Sequence, residues 1–180
     1  MQRCGLDVGA SFFDEMHRKA RETGGEVVMV IRRPGDRVLL VTKGFYPEGV
    51  YRLPTGQIEA GESPEAAFER EALEETELSV GQARLLGTIH YTFRSERRRV
   101  AYISYVYVTQ ETRSAPAAVG TEETITGFRE VRLDDLHGIA GMLRALPGTW
   151  ADWGAFRAVA HEFVHRKMCC PNRDSPTRTC

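Results

Sequence analysis

No stretch of this 180-residue chain comes near the ~18 consecutive apolar residues that a membrane span needs. The opening Met-Gln-Arg-Cys-Gly-Leu-Asp leads into no long apolar run, so no secretory signal is expected. Cysteine is missing from the whole interval between Cys4 and Cys169; the other two, Cys170 and Cys180, also sit at the end, which argues against a disulfide framework. Strong charge of either sign is lacking too, with 24 basic against 25 acidic residues and a formal net charge of −1. That excludes a global polyanion-binding surface and gives no clear nucleic-acid signature, so any attraction for phosphate must be local. There is no internal repeat. What remains is a cytoplasmic, non-membrane chain of one-domain length, whose 42% hydrophobic content is enough for a core.

The most informative stretch runs from Gly56 to Leu78 and carries five carboxylates of interest, Glu62, Glu69, Glu71, Glu74 and Glu75. Its second half reads as a helix. Ser63 is a good N-cap, Pro64 falls at the first helical position where its missing N–H costs nothing, and Glu65 suits the positive end of the helix dipole. Each helical residue turns about 100°, so Glu71, Glu74 and Glu75 share one sector. Like charges at these spacings repel by a few tenths of a kcal/mol (roughly 0.2–0.5) per pair. A solvated acidic face would tolerate that. A hard divalent cation such as Mg²⁺ would neutralise it, bridging carboxylates and substrate phosphates. Arg70 can hold one carboxylate through a two-pronged contact.

The order Gly56, Glu62, Arg70-Glu71, Glu74-Glu75 and a closing apolar Leu78 resembles the signature of the Nudix hydrolases (MutT-like domains). One departure is Glu77, where that family usually has Gly; Gly near a helix end supplies a left-handed exit, so Glu77 puts the loop after the helix in question. Arg52-Leu53-Pro54-Thr55-Gly56 also resembles the short entry segment of the family. The resemblance implies an α/β class, the Nudix fold, with a mixed β-sheet sandwiched between α-helices. It implies hydrolysis of a phosphoanhydride bond in a nucleoside diphosphate linked to another moiety, with Mg²⁺ or Mn²⁺ as cofactor. Metal ligands would be Glu71, Glu74, Glu75, Glu62 and a backbone carbonyl near Gly56. Catalytic roles would fall to Glu75, Glu74, Arg70 and Glu123, with Glu75, Glu122 or Glu123 taking the proton from water. Tyr46, Arg52 and Arg94 are the candidate substrate contacts. The partner expected is a phosphate-containing small molecule, a nucleotide above all, and the resemblance also admits a homodimer.

Around the motif, residues 11–22 read as a helix, 26–33 and 37–43 as a hairpin across Pro34-Gly35-Asp36, 82–93 and 100–109 as strands, 126–132 as a short strand and 149–168 as a closing amphipathic helix. The domain reading is a helical extension at 1–24, the Nudix domain at 25–168 and a loose tail at 169–180. The loop 44–51 offers Phe45 and Tyr46 either as anchors or as a stacking surface. The basic run from Arg94 to Arg99 is a solvated hairpin tip or an electrostatic guide for phosphates. His161, His165 and Cys169 fall at helical spacing, a stripe zinc could use but one that more commonly packs or faces solvent.

A second class of reading is a ligand-binding or sensor domain that has lost catalysis; the intact Glu71, Glu74 and Glu75 weigh against it. An isomerase on the same fold would want a cysteine near the site, and none is available. Position 93 is Phe, not the Pro that marks some ADP-ribose hydrolases.

Overall fold

The computed structural model describes residues 1–81, 83–117 and 125–170. Its centre is β2 (Glu26–Val30), every residue of which is buried. Alternation sends Val28 and Val30 into one core cluster and Val27 and Met29 into another, so the strand is covered on both faces. Burying a side chain of this size contributes about 1.5–3 kcal/mol.

Five strands form the main sheet in the order β1 (Gln2–Asp7), β6 (Ala83–Ser95), β7 (Arg98–Thr109), β2 and β5 (Thr55–Gln57). The pairs β1–β6 and β2–β7 are parallel, while β6–β7 and β2–β5 are antiparallel, so the sheet is mixed. On one face lie α1 (Ala10–Glu22) and α4 (Ala151–Cys169), with Phe13, Met16, Phe156 and Phe163 packed on Val28, Val106 and Phe93. On the other lies α2 (Pro64–Thr76), whose Ala67, Phe68 and Ala72 meet Val27, Met29 and Tyr107. A smaller antiparallel sheet comprises β3 (Arg32–Arg33), β4 (Arg37–Lys43) and β8 (Ile125–Arg132). A 3₁₀ turn at Leu133–Asp135 leads into α3 (Leu136–Arg144), which packs on α4. Among the described residues no helix is long and apolar enough to cross a membrane.

Two sequence expectations change. The segment 26–33 is not one arm of a hairpin. Its first five residues pair with β7, and only Arg32 and Arg33 pair with β4: Arg32 N still donates to Thr109 Oγ1 at the end of β7 (3.0 Å), while Arg33 Nε reaches Glu130 of β8 in the second sheet (2.7 Å). The first 24 residues are more than a helical extension, since β1 extends the main sheet alongside β6. Its alternation is too short to register in sequence, with Cys4 and Leu6 as its buried members. The tail expected from 169 lies outside the described residues after position 170.

His161 is packing rather than a free ligand. It is 1% exposed, its Nε2 accepts from Leu53 N (3.1 Å), and its Nδ1 donates to Arg157 O (2.9 Å). It thereby pins the segment that enters β5 to α4. Burial pushes its pKa down to about 4. In the unfolded chain the imidazole takes a proton below about pH 6.5, but the folded one resists until about pH 4, so stability is full above 6.5 and falls as pH drops toward 4. Denaturant unfolding at pH 7.5 and 5 is expected to show a loss of about 2 kcal/mol for this group in the wild type. His161→Gln, less stable at pH 7.5, should lack that component; an identical pH slope in the two proteins would refute the assignment.

Candidate functional site

The site is built where β5 turns into α2. Ser63 caps the helix, its Oγ accepting from Ala66 N at 3.2 Å, with Pro64 at the first turn. Glu65 in that turn accepts from the Tyr107 hydroxyl at 2.7 Å, which holds its carboxyl below the usual range and ties the helix start to β7.

Arg70 stands at the centre of the carboxylates. Its Nε and Nη2 donate to the two oxygens of Glu62 (3.0 and 2.9 Å), its Nη1 to Glu71 Oε1 (3.0 Å) and Glu74 Oε2 (3.1 Å), and its Nη2 also to Gln57 O (2.9 Å). One planar fork thus spaces three acids and fastens them to β5. The Arg70 hydrogen bond lowers the Glu62 pKa. For Glu71, burial pushes the pKa up, the Arg70 hydrogen bond pulls against it, and the charge of Glu75 pushes it up further.

Gly56 lies against Glu71. A Cβ there would land within bonding range of Glu71 Cγ and Cδ, so only glycine lets the β5 backbone approach this carboxylate. Glu75 is the least compensated of the set. Its Oε1 sits 3.7 Å from Lys43 Nζ, while its Oε2 is buried with no hydrogen-bond partner. An uncompensated buried carboxylate oxygen, beside a second acid raised by burial, is a donor set that fits a hard divalent cation.

Of these side chains, Glu71, Glu75 and Arg70 open onto a cavity of about 890 Å³. Glu71, Glu75, Arg70, Lys43 and the Gly56 segment line one part. An aromatic group lines another: the rings of Phe45 and Trp150 stack at 6.4 Å and 22°, and Tyr46 meets Trp150 and Trp153 edge-on or tilted at 5.8 and 4.8 Å. Phe45 is 56% exposed, whereas Tyr46 is partly covered. The buried pair Arg157–Glu26 (2.8 Å), with Ser104 Oγ donating to Glu26 at 2.7 Å, also borders the cavity.

The candidate substrate contacts divide. Arg52 lines the cavity but is 3% exposed, and it donates to Tyr46 Oη (2.8 Å), Leu53 O (2.8 Å) and Thr55 Oγ1 (3.0 Å), which makes it a brace under the aromatic loop. Arg94 does not reach the cavity. It sits beside β1, paired with Asp7 at 3.2 Å, because the strand it was read to flank continues to Ser95. Arg98 is likewise engaged, with Asp14 (2.6 Å) and over the Phe13 ring (4.4 Å). Glu122 and Glu123 lie outside the described residues. Sequence reasoning missed Lys43, Trp150 and Trp153. Only the fold brings the last two, about a hundred residues away, against Phe45 and Tyr46.

Comparison with known proteins gives a consistent likeness. A sequence model described as NUDIX domain matches residues 23–153. A curated relative, the NAD-capped RNA hydrolase NudC of Mycobacterium tuberculosis, is 36% identical over 67 residues, 37% of this chain and 21% of that protein, so the chain spans about a fifth of that relative's length. Among solved structures, a MutT NUDIX hydrolase from Burkholderia pseudomallei superposes with a TM-score of 0.54 at 24% identity, covering 77% of this chain and 95% of the other. A MutT protein from Methanosarcina mazei gives 0.54 at 21%, covering 79% and 92%.

Glu77 resolves the departure noted in the motif. It takes the left-handed conformation itself (φ 55°, ψ 14°), its N–H bonding Leu73 O at 2.9 Å. A side chain in that region is strained where glycine is not. Because Glu77 is exposed, Glu77→Gly is expected to raise stability by about 0.5–1 kcal/mol and leave turnover unchanged. Equilibrium unfolding checks it; a loss of stability would mean the Glu77 side chain does something beyond enduring the turn.

Proposed function

The chain belongs to the NUDIX domain family, and from that premise we propose that it is a Mg²⁺- or Mn²⁺-dependent pyrophosphohydrolase acting on a nucleoside diphosphate linked to another group. The observation that carries this is the set of carboxylates held by Arg70, of which Glu71, together with Glu75, lines a cavity that the aromatic group also lines. Glu71, Glu74, Glu75 and Glu62, with the backbone at Gly56, hold the cation. When bound, the cation screens the phosphates and acidifies water, which supplies the nucleophile.

The chain's own residues do the rest. Arg70 keeps the acids apart and aimed, so that they need not reorganise as charge develops. Lys43, 3.7 Å from Glu75, is a cation that a phosphate oxygen in the cavity would meet. Glu75, Glu122 or Glu123 removes the proton from the attacking water. Water attacks one phosphorus, the bridging P–O bond breaks, and the second phosphate leaves with the bridging oxygen. A nucleobase lies on Phe45 and Trp150, with Arg52 and Tyr46 fixing the loop that presents them. The likeness to an NAD-capped RNA hydrolase supports including dinucleotide substrates, in which two nucleosides flank the pyrophosphate. A cytosolic location belongs to the same proposal.

The test is a panel of nucleotide-linked diphosphates and dinucleotides with Mg²⁺ or Mn²⁺, reading phosphate and nucleotide products. Glu75→Gln is expected to lower kcat at least ~100-fold. Near-full turnover in that variant, still metal-dependent, would sink the proposal. Phe45→Ala and Trp150→Ala should raise KM for a base-bearing substrate about tenfold while kcat holds, the weight of one lost stacking contact of about 1–1.5 kcal/mol. Unchanged KM in both would remove the base from the aromatic wall.

A further inference from the structure

A second cluster of metal-ligating side chains lies at the C-terminal end of α4. Asp134, in the Leu133–Asp135 turn, comes together with His165 and Cys169, and their carboxylate oxygen, ring nitrogen and sulfur all lie within 4.8 Å of one another. His165 and Cys169 are one helical turn apart on α4, so the same helix face presents both. The turn that carries Asp134 packs on that helix. The His137 ring, from α3, tilts over His165 at 5.5 Å between centroids. Asp134 is exposed, the other two are half-covered, and none of the three lines the substrate cavity.

We propose that Asp134, His165 and Cys169 bind a Zn²⁺-class transition metal that clips the end of α4 to the turn before α3. The donor set is the argument. One thiolate, one imidazole and one carboxylate suit a borderline-soft tetrahedral ion and are poor for Mg²⁺, the reverse of the all-oxygen set on α2. Bonds of roughly 2.0–2.3 Å put tetrahedral donors roughly 3.3–3.8 Å apart, so small rotations of partly exposed side chains close the site. The stripe visible in the sequence had the wrong third member. His161 is buried and spent on Leu53 and Arg157, and Asp134, from another element, takes its place. The fourth position is open to water or to His137. Binding releases the Cys169 thiol proton to solvent, leaving thiolate on the ion.

The site is tested on the full chain, stripped with chelator and titrated with Co²⁺ in excess Mg²⁺. A thiolate-to-cobalt charge-transfer band reports a cysteine ligand and is silent to the glutamate site. One equivalent of Co²⁺ should produce the band, Zn²⁺ should bleach it, and Zn²⁺ should raise Tm by about 5 °C at saturation. Cys169→Ser should abolish the band, whereas the Cys170→Ser/Cys180→Ser double variant should keep it. Asp134→Asn, at an exposed position, should weaken Zn²⁺ binding at least ~10-fold without altering the fold by circular dichroism. Absence of the band at micromolar Co²⁺, its persistence in Cys169→Ser, or its loss in the double variant would each overturn the proposal. Hydrolysis, which runs on the α2 site, should be the same in Asp134→Asn and wild type; a shared loss would mean the two sites are not separate.

Discussion

A single guanidinium organises this molecule's chemistry. Glu62, Glu71 and Glu74 carry the same charge, and left alone they would splay into solvent. Arg70 contacts all three and the carbonyl of Gln57, so the repulsion is converted into a fixed frame joined to the sheet. Every other feature of the site serves that frame. Gly56 makes room for Glu71, Ser63 and Pro64 start the helix at the right residue, and Phe68 and Ala72 anchor its apolar side on β2. Of the four proposed ligands, Glu75 alone stays outside the fork, with one buried oxygen unengaged, and the proposed cation site rests on that asymmetry.

The two halves of the cavity differ in how they are held. The acidic side rests on neighbours in sequence, a loop and the helix that follows it. The aromatic side is a tertiary product: Phe45 and Tyr46 come from the loop after β4, Trp150 and Trp153 from the entry to α4. Between them His161 and Arg52 act as struts, one from α4 to Leu53 and the other from Leu53 to Tyr46. A displacement of α4 would therefore move the aromatic wall relative to the acids.

That difference also explains what could be read from the residues. The carboxylates were legible because helical spacing is a local rule, and so were Ser63 and Pro64; Glu77 showed only as a departure, and its left-handed conformation came from the structure. The helices α1, α2 and α4, with β4 and β8, came out within a residue or two because local periodicity marks them. Arg94 was misplaced because a hairpin tip was drawn too long: the turn is only Glu96-Arg97, with Glu96 at φ 55°, so the arginines on either side are strand residues whose partners, Asp7 and Asp14, lie far away in sequence. The sheet change near Ile31, the strand at 2–7 and the aromatic wall depend on pairings across long separations, to which a single sequence is blind.

The strand at 2–7 has one more consequence, for the order of assembly. Gln2 pairs with the level of Ile89, and the Arg166 side chain from α4 also reaches Gln2. Residues 2–7 thus find their place only once more than eighty further residues of chain are present. Parallel pairing over such loops slows closure. Until β1 docks, the edge of β6 is uncovered, and the chain's exposure to self-association is set by the time residues 2–7 take to return.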